Sequence, residues 1–161
     1  MKKLMLLAGL YCLQPALYAS TWVNPGISNM NDVAPINASD RAKAHFSANY
    51  SEARDASWYN LPKKTMYCIF HCGKTVSRVF YDSRGYWQYT LMGYPGSNLS
   101  KDVKDQVAYD FDGYHIVWVN EIQSNQNKPV YVINIENENH VKVIRVAGDI
   151  IEEEQAFTKG D

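Results

Sequence analysis

The sequence predicts an α+β fold, a tandem repeat of one helix followed by an antiparallel β-meander, with the helices packed on one face of the sheet. Two stretches carry apolar residues at helical spacing, and each is followed by β-prone runs separated by turn residues. Apolar positions also recur at a nearly constant offset along the chain. The 161 residues include 46% hydrophobic, 20% charged and 13% aromatic side chains, the composition of a globular protein rich in β-structure.

The first nineteen residues have the pattern of a signal peptide, 1–19. Lys2 and Lys3 form a positive segment, residues 4–13 are apolar but too few to span a membrane, and Ala19 is a small residue suited to cleavage. Cys12 leaves a lipid anchor as an alternative, which the bulky residue before it disfavours. We expect a periplasmic or secreted chain cleaved near Ala19. Its 14 basic and 17 acidic side chains leave a net charge of −3, which does not attract nucleic acid.

A flexible leader is predicted at residues 20–38, which carry Pro, Gly, Ser and Asn without periodicity. The first α-β-β-β repeat follows at residues 39–98. Ser39 or Asn37 caps a helix that we expect to run to about Arg54. Three β-prone runs separated by turns then predict strands at residues 65–71, 76–82 and 86–92.

The second α-β-β-β repeat is predicted over residues 99–157. Ser100 caps its helix and Gly113 ends it. Strands are expected at residues 114–122, 129–136 and 141–147, with a further one starting at Ile150. Because about 60 residues bury too little apolar surface alone, the two repeats are expected to share one core in a single domain, 39–157.

The spacing of apolar residues supports this duplication. Phe46, Tyr50, Ala53 and Trp58 recur 61 positions later as Val107, Phe111, Tyr114 and Val119. Together with the runs Y-C-I-F at 67–70, V-F-Y-D-S-R-G at 79–85 and Y-V-I at 131–133, these residues resemble the PepSY-like, β-lactamase-inhibitor-protein-like (BLIP-like) family of exported bacterial proteins over residues 38–150. The resemblance implies an envelope location and protein binding without catalysis, and it transfers no active-site residue. Inhibition of a hydrolase is an analogy at the level of the fold.

The titratable residues form no familiar catalytic or metal-binding motif. The four histidines are not at metal-binding spacing. Cys68, His71 and Cys72 offer three soft ligands without a fourth, and on a strand His71 faces away from both thiols. We therefore expect no enzyme activity, no metal and no cofactor.

The two cysteines of the mature chain, Cys68 and Cys72, lie four residues apart. Along a strand that separation is about 13 Å, too far for a disulfide. A tight turn at His71 or Cys72 would be needed to join them. Two free thiols are favoured, and the disulfide stays open as the alternative because an exported protein meets oxidising conditions.

The aromatic residues are the best indication of a binding surface. Strand alternation places Trp87 and Tyr89 on one face together with Leu91. Trp118 is expected on the open face because its neighbour Val119 occupies a core position. Trp87, Tyr89 and Trp118 are the predicted binding residues, since Tyr and Trp give large contact areas at low entropic cost. The alternative is that they fill an aromatic-rich core.

These observations predict an exported, non-enzymatic module that binds another envelope or extracellular protein, with inhibition of a hydrolase as its sharper form. The alternative is a periplasmic small-molecule binder or sensor whose ligand lies between helices and sheet. Neither the partner's identity nor the oligomeric state follows from the sequence.

Overall fold

A computed structural model of the chain describes residues 36–61, 65–73, 75–125 and 128–160. The predicted signal peptide at 1–19 and most of the predicted leader lie outside these ranges. The elements in chain order are α1 Asp40–Asn49, β1 Arg54–Asn60, β2 Met66–Cys72, β3 Thr75–Tyr81, β4 Trp87–Pro95, a 3-10 turn Gly96–Asn98, α2 Lys101–Asp110, β5 His115–Ser124, β6 Val130–Glu136, β7 His140–Ala147 and β8 Ile150–Thr158.

The eight strands form one antiparallel sheet in which each strand pairs with the next along the chain. The predicted fold class is wrong on this point. The architecture is mainly β, a single eight-stranded sheet with only two ten-residue helices in the described chain, and not a tandem repeat of helix-plus-meander units. The reason lies in the middle of the sheet, where β4 pairs with β5 from Tyr89–Ser124 to Pro95–Trp118. Backbone hydrogen bonding therefore continues across the boundary that we expected between two modules.

Strand β1 was not expected, because the sequence pattern predicts that the first helix continues to Arg54. Helix α1 ends at Asn49 instead, and Arg54 begins a strand. In that strand Trp58 pairs with Cys68 and Tyr59 with Tyr67. The end of the expected helix is therefore a loop followed by a strand, because pairing with β2 decides the local structure.

Both helices pack on the same face of the sheet. Ala42 of α1 belongs to a buried cluster with Cys68, Phe70, Val79 and Tyr81. Val107 of α2 and Leu99, just before that helix, belong to a second buried cluster. Its strand residues are Tyr94, Val119, Ile133, Ile135, Ile144 and Val146. The strand registers place these strand residues on one side of the sheet. The opposite side, here called the open face, carries no helix of the described chain.

The turn between β3 and β4 is held against the start of α1. The Asp82 carboxylate accepts hydrogen bonds from the backbone N–H groups of Arg84 and Tyr86, each 2.9 Å long. Gly85 has a φ of +82°, and a Cβ at this position would overlap Ser39 Oγ. Because Ser39 also accepts the Ala42 N–H as the N-cap of α1, turn and helix start are in direct contact.

No helix in the described parts of the chain is both long enough and apolar enough to cross a membrane.

Candidate functional site: the open face of the sheet

One residue from each strand lies in a single row across the open face, which passes through the middle of β1 to β4 and reaches the strand ends at β6 to β8. Each member is directly paired with the next in the antiparallel register. This central row consists of Ser57, Ile69, Arg78, Leu91, Ile122, Val130, Ala147 and Ile150. None of its members is buried, and Ile150 is 59% exposed. Six of the eight members are apolar, Ser57 is polar, and Arg78 is the one charged member.

Four stacked rings form a second row beside the central row, on β1 to β4. The ring centroids are 5.2 Å apart between Tyr59 and Tyr67, 5.6 Å between Tyr67 and Phe80, and 4.3 Å between Phe80 and Tyr89. The two inner rings are buried and Tyr89 is 39% exposed. Stacked pairs of this kind stabilise a sheet by about 0.5–1.5 kcal/mol each beyond area burial. This aromatic row is consequently a well-packed surface along one side of the central row.

Arg78 lies on the open face between two aliphatic neighbours. Ile69 of β2 and Leu91 of β4 are directly opposite it, and the side chain is partly buried. Burial lowers the pKa of Arg78, while the nearby Tyr67 acts in the opposite direction. Arginine nevertheless keeps its charge in proteins. The guanidinium is thus a cation in largely apolar surroundings.

No carboxylate among the described residues is within ion-pair distance of Arg78, and no described residue hydrogen bonds to its side chain. Arg145 provides a contrast on the same face. It is paired with Val132 in the row next to the central row. Its guanidinium forms ion pairs with Glu152 and, at 3.1 Å, with Glu154. The charge of Arg145 is therefore neutralised within the chain, and that of Arg78 is not neutralised by the residues described.

The structure separates two of the predicted binding residues. A register shift between Phe80 and Tyr81 pairs Phe80 with Tyr89 and Tyr81 with Trp87. The bulge turns Trp87 toward the helices and leaves Tyr89 on the open face. Trp87 stacks on His45 of α1 at a centroid distance of 5.7 Å. The shared face that strand alternation predicts for Trp87 and Tyr89 is therefore not formed.

Trp118 lies on the open face, paired with Asn134, and its Nε1 donates to Asn120 Oδ1 at 3.2 Å. Ser124, which pairs with Tyr89, is six residues away on the same strand, so Trp118 and Tyr89 are about 20 Å apart. These two predicted residues lie on opposite sides of the central row. Whether Trp87, Tyr89 or Trp118 contacts a partner stays a prediction.

The polar groups beneath α1 form a satisfied hydrogen-bond network. His45 Nδ1 is 3.1 Å from the Tyr81 hydroxyl. Thr90 Oγ1 accepts from Trp87 Nε1 at 3.0 Å and lies 2.6 Å from the Tyr50 hydroxyl. Burial lowers the pKa of His45 and raises that of Tyr50. The Thr90 hydroxyl is engaged by two side chains, so the network joins helix to sheet and presents no activated nucleophile.

The two described cysteines are free and have different surroundings. Cys68 is buried in the core and Cys72 is exposed at the end of β2. The disulfide alternative is not formed. His71 lies on the opposite strand face, with its Nδ1 3.9 Å from Asp55. Within the described ranges no three His, Cys, Asp or Glu side chains come together as metal ligands.

Among the surface depressions formed by the described residues, two are wide open to solvent. One lies at the turn after β6, with His115 and Asn137 in its lining. The other lies beside Trp87 and His45 and includes Asp82. The interface between helices and sheet, where a small ligand was the alternative expectation, is filled by the two core clusters.

Arg78 was not predicted from the sequence, and of the aromatic row only Tyr89 was. In β3 the residues alternate as Val76, Arg78 and Phe80 on one face and Ser77, Val79 and Tyr81 on the other. Both faces carry two apolar residues and one polar residue, so alternation alone does not distinguish them. The signal that was available is the single charged residue inside a β-prone run.

The comparisons with known proteins bear on the fold. No family model matches the chain, and no curated protein matches it. A solved BLIP-like protein from Bacteroides fragilis is 15% identical with a TM-score of 0.59, and the match covers 78% of this chain and 91% of that one. A DUF2874 family protein from Bacteroides ovatus is 14% identical with a TM-score of 0.58, covering 76% and 89%. A protein from Bacteroides eggerthii, provisionally described as periplasmic, is 15% identical with a TM-score of 0.56, covering 76% and 90%. At these identities the likeness concerns architecture, and the chain has a BLIP-like fold.

Proposed function

We propose that the chain is an exported, non-enzymatic module that binds another protein of the cell envelope or the extracellular space through its open face. The central row carries the proposal, because six of its eight members are apolar, none is buried, and no polar residue interrupts it from Leu91 on β4 to Ile150 on β8. Contiguous apolar surface that reaches solvent is typical of protein interaction sites. The helices cover the other face and supply the core, so the open face is available for contact.

The BLIP-like neighbour supports a sharper form, in which the partner is a hydrolase that this chain inhibits. Membership of the PepSY-like family, which the sequence resembles, belongs to the same proposal. Export is supported by the predicted signal peptide and by the neighbour described as periplasmic. A non-enzymatic role is supported by the engagement of the Thr90 hydroxyl and the burial of Cys68, while the exposed thiol of Cys72 has no hydrogen bond to a described base.

The experiment compares how well a partner protein is captured by variants with a substitution on the open face and by a variant with a substitution on the helix side. Ile150→Asp and Trp118→Ala alter the open face at accessible positions. Tyr109→Ala is the matched control, because Tyr109 is an aromatic residue on α2 that is 89% exposed on the other side. We expect the wild-type chain and Tyr109→Ala to retain the same protein from an envelope extract, and the open-face variants to release it while their melting temperatures stay near the wild-type value.

Equal capture by all variants, or loss of capture with Tyr109→Ala alone, would contradict binding through the open face. The inhibitor form is tested separately with purified β-lactamases and peptidases. Inhibition of one of them that disappears with Ile150→Asp supports it, and uniform activity across the panel removes it. A small molecule that copurifies with the chain in native mass spectra, and is lost in Trp87→Ala, would favour the small-molecule alternative instead.

A further inference from the structure

We propose that the open face binds an acidic segment of its partner, in which a carboxylate contacts the Arg78 guanidinium and flanking apolar side chains contact the central row. This inference rests on the proposed function, because it specifies the partner's chemistry at the same surface. The occupant is a protein segment that carries an aspartate or glutamate between apolar residues.

The first step is the position of the charge. Arg78 stands in the central row with Ile69 and Leu91 directly opposite, and Phe80 and Tyr67 belong to the adjacent aromatic row. Its side chain is partly buried. A partner that covers the central row must therefore cover the guanidinium as well.

The second step is the consequence of covering it. A guanidinium that loses its remaining water without gaining an acceptor is strongly destabilising, and arginine does not escape by losing its proton. A carboxylate of the partner would restore the lost hydrogen bonds with two parallel, charge-assisted ones. A neutral or basic partner surface at this point would leave the charge unpaired, so the central row selects for one acid opposite Arg78.

The third step is the contrast with Arg145 on the same face. Glu152 and Glu154 already accept hydrogen bonds from its guanidinium. An incoming carboxylate at Arg145 would be repelled by two others. Arg78 has no such neighbours among the residues described. A carboxylate of the partner is therefore attracted to Arg78 on β3 and not to Arg145.

The test selects random short peptides against the immobilised full chain and then measures Kd values of the selected peptides in solution. We expect them to carry an Asp or Glu between apolar residues. Changing that acid to its amide should weaken binding about tenfold or more, and Arg78→Gln should do the same. Both changes together should weaken binding no more than either alone, which identifies a direct pair. Arg145→Gln is the matched control, with a Kd within about twofold of wild type.

Several results would overturn the inference. Peptides that lose binding with Ile150→Asp, yet lack acids and bind Arg78→Gln as tightly as wild type, would refute the role of Arg78 and leave the proposed function intact. If every selected peptide ignores Ile150→Asp, or none is selected, both proposals fail. Sedimentation showing a dimer that Ile150→Asp dissociates would make a second copy of this chain the occupant. Should Arg78→Gln fail to fold, the acid-to-amide change in the peptide, measured on the wild-type chain, decides the matter.

Discussion

The two described thiols show how position on one strand determines the chemistry of a residue. Cys68 has no exposed surface and points into the cluster beneath α1. Burial raises the pKa of its thiol to about 12, which a backbone hydrogen bond at Ser57 opposes only in part. Cys72, four residues later, is exposed at the end of β2. Because the thiolate is the reactive form, the two residues should differ in reactivity.

We predict that iodoacetamide at about pH 8 alkylates Cys72 in the folded chain and leaves Cys68 unmodified, since thiolate formation at Cys68 needs unfolding. Peptide mass spectrometry after timed quenching measures both sites separately. In denaturant the two should react at similar rates, which serves as the control. Comparable labelling of Cys68 and Cys72 without denaturant would show that the core beneath α1 opens readily.

The same burial predicts a loss of stability in alkali. Burial raises the pKa values of Cys68, Tyr81 and Tyr94 in the folded chain above those of the unfolded chain. Their contribution to stability is complete below the unfolded thiol pKa of about 8.5 and is lost as pH rises toward the folded values. We expect a constant melting temperature from about pH 6 to 8 and a decline above about pH 9. Cys68→Ala should make the decline shallower and Cys72→Ser should not, whereas identical profiles for both variants would refute the role of Cys68.

Residue positions on the sheet faces were predictable only where strand pairing is regular. The expectation that Trp118 lies opposite the core residue Val119 agrees with the registers of β5. The expectation for Trp87 does not, because the bulge opposite Phe80 and Tyr81 reverses its direction. A bulge is a property of two paired strands, so it cannot be predicted from the alternation of residues within one strand.

At the scale of elements, the turn between β3 and β4 couples the sheet to α1. Gly85 and Gly113 have nearly the same backbone conformation, with φ values of +82° and +78°. A Cβ at Gly113 would meet nothing within 4 Å, whereas one at Gly85 would meet Ser39 and Ala42 at the start of α1. An alanine at Gly113 would therefore introduce backbone strain alone, whereas an alanine at Gly85 would introduce the same strain together with steric overlap.

We predict that Gly113→Ala lowers the free energy of unfolding by about 1–2 kcal/mol, the cost of a left-handed conformation for an L-residue. Gly85→Ala should lower it further, because the new methyl group also displaces Ser39 from its capping position. Denaturant titrations of both variants measure the difference. Equal losses would mean that the turn does not hold the helix.

Strand positions in the sequence were largely predictable from turn residues. The expected strands at 76–82, 129–136 and 141–147 agree with β3, β6 and β7 to within a residue at each end. Each is bounded by Gly, Asn or Pro, which restrict backbone conformation locally. β1 could not be found this way, because no Gly or Pro separates it from the expected helix and it becomes a strand only by pairing with β2.

At the scale of the whole molecule, the error in the expected fold class has a physical origin. The sequence shows where apolar residues stand, and here one pattern of apolar residues recurs 61 positions later. It does not report how strands pair between distant parts of the chain. The continuous backbone pairing of β4 with β5 joins the two segments that the repeated pattern had suggested were separate units. The open face follows from that continuity, since a central row across eight strands exists only in an unbroken sheet.

An unbroken sheet of this kind also has edges, and β8 is one of them. In the described chain it pairs only with β7, and Glu152, Glu153 and Glu154 lie along its exposed centre. Charges on an edge strand oppose pairing with a second chain, while apolar residues such as Phe157 and Ile150 favour it. We therefore expect the acidic run to keep the edge unpaired.

We predict that replacing the three glutamates by glutamine causes concentration-dependent association, measured by sedimentation velocity, because the edge loses its charge and keeps its strand shape. Replacement by lysine is the control. It removes the ion pairs with Lys142 and Arg145 just as glutamine does, but it restores a repulsive edge. Association of both variants would indicate that the lost ion pairs, by loosening β8, expose the sheet. Association of the glutamine variant alone would assign the protection to charge on the edge itself.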